Sequence, residues 1–216
     1  DDTITIKEII EEIHENMDEW IFDNPKDKKQ LNENPFYVYL ERLFKNGKGY
    51  YAWNGLKYLL YEYELEKVSK RGNQKIDWKL FIKNEKDKVS IEHILPQTPD
   101  KKEWPSFKRY SGKKLKAFQG SLGNLLPLSQ SINSGLQNDS FENKKQPKLD
   151  ENNNKIREGY NNGSHSEIEV SQYPDWTPNT VLERGLKLLE FMERRWDFKF
   201  KNEETKKKLL FIQVKK

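Results

Sequence analysis

The chain has 216 residues, a formal net charge of +4, and hydrophobic and charged residues in equal shares of 34%. That length suits one domain of ordinary size with helical additions, and no run approaches the ~18 apolar residues of a membrane span. With no cysteine the chain forms neither a disulfide nor a cysteine-ligated zinc site, so its core must rest on 11 Phe, 10 Tyr and 6 Trp. No signal-peptide pattern opens the sequence, and a cytoplasmic location is expected. Asp1 rather than Met stands first, which suggests a fragment excised from a longer chain.

Thr5 to Phe22 predicts an amphipathic helix. Ile6, Ile9, Ile10, Ile13, Met17, Trp20 and Ile21 share one face, and Thr5 with Glu8 has the capping-box pattern. Residues 1–24 carry nine acids against Lys7 alone, so the outer face of that helix is acidic. After a polar linker, Asn34-Pro35 opens a second helix that runs through Lys45 and is ended by Gly47. A third covers Tyr50 to Val68, with Trp53, Leu56, Leu59, Leu60, Tyr63 and Leu65 turned inward. Arg71 to Asn73 is a turn, and Asp77 to Ile82 reads equally as a short helix or a strand.

Val89 and Ile91 alternate with polar neighbours into Glu92, the pattern of a short strand that Pro96 terminates. Glu92 and His93 therefore stand where a strand runs out. Residues 101–116 then hold seven bases against Glu103 alone. Trp104, Phe107 and Tyr110 interleave this run, which reads either as a solvated face or as a nucleic-acid contact made by Lys108, Arg109, Lys113 and Lys114. Gly123 precedes a second extended piece at Asn124, Leu125 and Leu126, interrupted by Pro127. Ser129 is placed to cap a short helix carrying Asn133.

Asp139 or Ser140 caps a further short helix with Phe141 in the core and Lys144 and Lys145 able to reach a phosphate or to stay solvated. Pro147 to Gly163, with five asparagines, reads as a mobile loop. His165 at its end is a weaker catalytic candidate. Glu167 to Val170 alternates like a strand. Thr177-Pro178 opens a long helix through Trp196, burying Val181, Leu182, Leu188, Leu189, Met192 and Trp196; Gly185 on that face allows another element to approach closely. The tail from Lys199 is basic, and Leu209 to Val214 is apolar enough to pack. No internal repeat, Walker A pattern or G-x-G-x-x-G is present.

Glu92-His93, then Asn124-Leu125 with Leu128, then Asn133 resembles the HNH nuclease motif. The fuller string, EHILPQ followed by GNLLPLSQSIN and then Phe141, Lys144 and Lys145, is similar to the C-terminal domain of GmrSD-type modification-dependent restriction enzymes. The resemblance implies a metal-dependent DNA endonuclease acting in defence against foreign modified DNA. In that reading His93 is the general base, Glu92 and Asn133 bind the metal, Asn124 orients His93, and Arg184 helps to form the site. The chemistry agrees: an imidazole accepts a proton near neutral pH, and a carboxylate with an amide carbonyl suits a hard cation, Mg²⁺ first and Mn²⁺ second. The 31-position interval from His93 to Asn124 exceeds a compact HNH motif, so the basic insert over 100–120 must loop out. The expected fold is α+β and mainly helical, a small ββα-metal core embedded in helices. It divides into an N-terminal helical part (1–85), the nuclease core (86–147), and a loop with a C-terminal helical part (148–216). The resemblance also implies DNA as partner and an N-terminal nucleotide-dependent sensor module that these residues do not contain. The alternative is an inactive nucleic-acid-binding or sensing module with a structural HNH-like core.

Overall fold

A computed structural model of the protein describes residues 33–71, 90–128, 135–136 and 138–214. The expected acidic helix over 5–22, the segment 77–82 and the Ser129-capped helix with Asn133 lie outside the described residues. Helix α1 (Glu33–Lys45) buries Leu40 completely, and the chain leaves it through Gly47 at φ 74°. The apolar stripe after it does not form one helix. Tyr50 sits in a 3-10 turn, Gly49–Ala52, and α2 (Leu56–Arg71) begins only after Gly55. The break lets the rings of Tyr50 and Trp53 meet edge to face at 5.9 Å. Leu56, Leu59, Leu60 and Tyr63 are buried as the periodicity requires.

Strand β1 (Ile91–His93) pairs antiparallel with β2 (Leu125–Pro127), placing Ile91 opposite Pro127, Glu92 opposite Leu126 and His93 opposite Leu125. The basic insert between them folds into a 3-10 turn at Pro105–Phe107 and α3 (Gly112–Gly120). Its aromatic residues turn inward: Trp104, Phe107 and Tyr110 are all buried, and the rings of Phe107 and Tyr110 pack on Phe118 at 5.6 and 4.7 Å. The seven bases are left outside. A 3-10 turn, Leu122–Asn124, leads into β2, where the sequence suggests extended chain from Asn124.

Helix α4 (Phe141–Lys145) is capped by Ser140, whose hydroxyl accepts from the Asn143 amide at 3.2 Å. The stretch expected as a loop instead carries a hairpin, β3 (Lys148–Leu149) with β4 (Lys155–Arg157). Asp150 closes its turn by accepting the amides of Asn152 and Asn154, both at 2.8 Å, with Asn153 at φ 63°. The strand expected at Glu167–Val170 is corrected to helix α5 (His165–Ser171). Ser164 and Glu167 form a capping box, and the buried Glu64 carboxylate of α2 accepts the amides of His165 (2.7 Å) and Ser166 (2.8 Å). Those contacts outweigh the alternation, because they satisfy amides that a helix start leaves unpaired.

Helix α6 (Pro178–Arg195) begins at its Thr177 cap and buries Val181, Leu188, Leu189 and Met192. It lies directly on the turn Leu122–Asn124: a Cβ on Gly123 would stand 1.9 Å from the Val181 carbonyl oxygen. Gly185 gives the close approach expected of it, to the side chain of Leu210. Helix α7 (Glu203–Leu209) and the buried Leu209, Leu210 and Ile212 close the structure. One core runs from Leu40 to Ile212 around a small β1–β2 sheet, so the fold is α+β and mainly helical. Among the described residues no helix is long and apolar enough to cross a membrane.

Candidate active site

The end of β1 is held by a single buried side chain on the partner strand's approach. The Asn124 amide oxygen accepts from the Leu95 amide (2.8 Å) and the Trp176 indole (3.0 Å). Its Nδ2 donates to the carbonyls of Leu95 and Gln119, both at 3.1 Å. The Asn124 backbone carbonyl accepts from Ile94 at 3.0 Å. Two donors and two lone pairs are thereby all used. None of these hydrogen bonds reaches the imidazole: Asn124 acts on Ile94 and Leu95, the two residues that follow His93. Gln119 at the end of α3 secures the next two carbonyls, Pro96 (2.7 Å) and Gln97 (2.9 Å).

Lys144 supplies the second restraint. Its side chain is wholly buried, and its ammonium donates to Glu92 Oε1 (2.6 Å), the His93 carbonyl (3.2 Å) and the Ile94 carbonyl (3.0 Å). An ammonium has three donors, and each is spoken for. The Trp104 ring lies 5.8 Å away. Burial pushes the Lys144 pKa down, and the neighbouring Glu92 carboxylate opposes that. The expectation that Lys144 reaches a nucleic-acid phosphate is corrected accordingly, since desolvation and three partners hold it inside.

His93 is partly buried against the Tyr51 ring, 4.7 Å between centroids with planes at 33°, and Tyr51 itself remains 47% exposed. Burial, followed by the charge of Lys144, pulls the His93 pKa down to about 4. The imidazole is therefore neutral at pH 7 and has a lone pair available to accept a proton. Glu92 Oε2 carries no hydrogen bond among the described residues.

Arg184 also takes an interior position. It is fully buried, and its Nη1 donates to the carbonyls of Gly123 and Leu125, both at 2.8 Å, tying α6 to the start of β2. Lys145 pairs with Glu142 at 2.7 Å. Lys108, Arg109, Lys113 and Lys114 are exposed. Asn133 lies outside the described residues, and His165 is buried on α5, a helix that packs against β2. Sequence reasoning missed Tyr51, Gln119 and Trp176. No spacing signals them, because each reaches the site from a separate element.

A family model described as GmrSD restriction endonucleases, C-terminal domain, matches residues 35–191. No curated protein and no solved structure matches the chain.

Proposed function

The chain belongs to the family of C-terminal domains of GmrSD restriction endonucleases, and from that premise we propose that it is a metal-dependent HNH-type nuclease hydrolysing phosphodiester bonds in foreign modified DNA. The observation that supports this reading is Glu92 and His93 side by side at a strand end whose backbone Asn124 and Lys144 immobilise. His93, neutral at pH 7, takes a proton from a water molecule. The resulting hydroxide attacks phosphorus, the phosphorus–oxygen bond to the leaving group breaks, and that oxygen gains a proton. Lys144 serves the step by fixing the strand end and by keeping His93 unprotonated.

The residues suit a hard cation. Among the described residues Glu92 retains one oxygen without a hydrogen bond, and Asn133 would supply an amide carbonyl. Mg²⁺ keeps several waters and is held by one or two carboxylates and the substrate phosphate, so a single carboxylate with an amide carbonyl is a sufficient protein contribution. When bound, such a cation neutralises charge at the phosphoryl and leaving oxygens.

Replacing His93 with alanine should lower the Mg²⁺-dependent nicking rate of plasmid DNA by about 10²–10⁴-fold, the usual cost of losing a general base, with the fold unchanged by circular dichroism. A parental rate in that variant would remove His93 from the mechanism. The Glu92–Lys144 ion pair favours a second reading, in which the core is structural and the domain binds nucleic acid without cutting it. Binding without nicking at any divalent-metal concentration would decide for it.

A further inference from the structure

Helix α7 lies outside the family-matched residues, yet it completes a charged cleft. Lys207 and Lys208 on α7 and Lys113 and Lys114 on α3 line a cavity of about 520 Å³. None of these four ammonium groups is in an ion pair with a described carboxylate. Glu204 is the acid in the lining, and Tyr37 and Phe211 supply aromatic rings. Phe211 adopts φ 57°, a left-handed conformation that a bulky residue takes at a cost. That conformation keeps its ring stacked on Tyr37 at 5.0 Å and on Phe44 at 4.4 Å.

We propose that this cleft binds an unpaired stretch of a DNA strand beside the cleavage centre. Lysine pairs on two helices suit the repeated charges of a phosphodiester backbone, and the Tyr37 ring, which Phe211 covers on one face only, suits an exposed base in the same concavity. A duplex keeps its base faces stacked inside, so it would use the lysines and leave the Tyr37 ring idle. Two lysine pairs on separate helices match an extended polyanion better than the clustered phosphates of a free nucleotide. The cleft is linked to the site through α3: Gln119, six residues or about 9 Å along the axis from Lys113, holds the carbonyls of Pro96 and Gln97 just beyond His93. The location beside a cleavage centre rests on the nuclease reading, whereas the binding does not.

The test is fluorescence anisotropy of labelled oligothymidylate with EDTA present, across a salt series. Lys207→Ala/Lys208→Ala and Lys113→Ala/Lys114→Ala should each reduce the slope of log affinity against log salt by about 1.4, two contacts at ~0.7 each for a single strand. Tyr37→Leu should weaken binding about tenfold without changing the slope, and Tyr37→Phe should restore it. Unchanged slopes in the α7 pair would overturn the proposal. So would equal losses for duplex and oligothymidylate with no effect of Tyr37→Leu, the signature of a simple duplex rim. Displacement of the oligonucleotide by ATP, with the lysine variants losing ATP but not DNA, would overturn it in favour of a nucleotide site. Parental plasmid nicking and its dependence on His93 are measured separately, so failure of the cleft leaves the nuclease reading standing, and the reverse.

Discussion

At the scale of single residues, the site depends on where one ammonium goes. By sequence Lys144 and Lys145 reach a phosphate or stay solvated, but the five-residue helix Phe141–Lys145 buries Lys144 completely and leaves Lys145 partly buried. The buried one satisfies Glu92 and two carbonyls at once. Lys144→Ala would leave those acceptors without a donor, and breaking a buried ion pair typically costs about 3–5 kcal/mol. Urea unfolding should show a loss near the lower end, because Glu92 keeps some access to water. The same ammonium acts on His93. In the metal-free protein, NMR should place the His93 titration at about 4. A folded-state pKa below the ordinary 6.5 means that protonation opposes folding. Stability associated with His93 is therefore full above pH 6.5 and declines as pH falls from there to about 4. A midpoint near 6.5 would show that the ring is solvated and that burial and Lys144 do not govern it.

At the scale of elements, the end of β1 that carries Glu92 and His93 is positioned by helices that meet it through backbone contacts. The turn Leu122–Asn124 presents Asn124 correctly only if α6 lies close, and Gly123 makes that possible. Gly123→Ala should shift α6 or the turn, because the obstacle is a carbonyl oxygen and not the flexible end of a side chain. Overpacking of this kind costs about 1–3 kcal/mol, occasionally more, and the thermal midpoint should fall correspondingly. Since Arg184 bonds the carbonyls on either side of Asn124, the DNA-nicking rate should fall in the same variant even where it remains folded. A variant with parental stability would mean that the two elements can separate without cost. The basic insert follows a related logic. Trp104, Phe107 and Tyr110 pin it to the core, so Lys113 and Lys114 are carried on an anchored helix and not on a floppy excursion.

At the scale of the whole molecule, Glu169 joins three helices. Burial alone would raise its carboxyl pKa, but hydrogen bonds from Lys187 and Lys67, with the charges of Lys67 and Arg184, outweigh this and hold it at about 2. The Tyr63 hydroxyl also donates to it, at 3.0 Å, so α2, α5 and α6 share one anion. A depressed carboxyl pKa contributes stability above the ordinary value of about 4.5, and that contribution is lost as pH falls toward 2. Glu169→Gln should therefore lower the unfolding free energy at pH 7, with the gap to the parent narrowing between pH 4.5 and 2. A gap that is constant across that range would place the effect in packing and not in charge.

The order of chemical residues was legible in the chain itself. Glu92-His93 before Pro96, Asn124 after a glycine, and a serine-capped turn holding Phe141 are local patterns, set by strand alternation, proline geometry and capping. The long helix from Thr177 and the inward face of α2 followed from periodicity in the same way. What local pattern could not decide was which polar groups go inside. Lys144 reads as a cation for phosphate or solvent, and nothing local shows that Arg184 is interior; both are buried because their partners, Glu92 and the carbonyls around His93, Gly123 and Leu125, come from segments 50 to 61 residues away. Helix α5 read as a strand because alternation over Glu167–Val170 masked the local Ser164–Glu167 capping box, and its other cap, Glu64, is 101 residues distant. Burial of a charge is settled by long-range partners that offset its desolvation, and those partners exist only once the tertiary fold has assembled them.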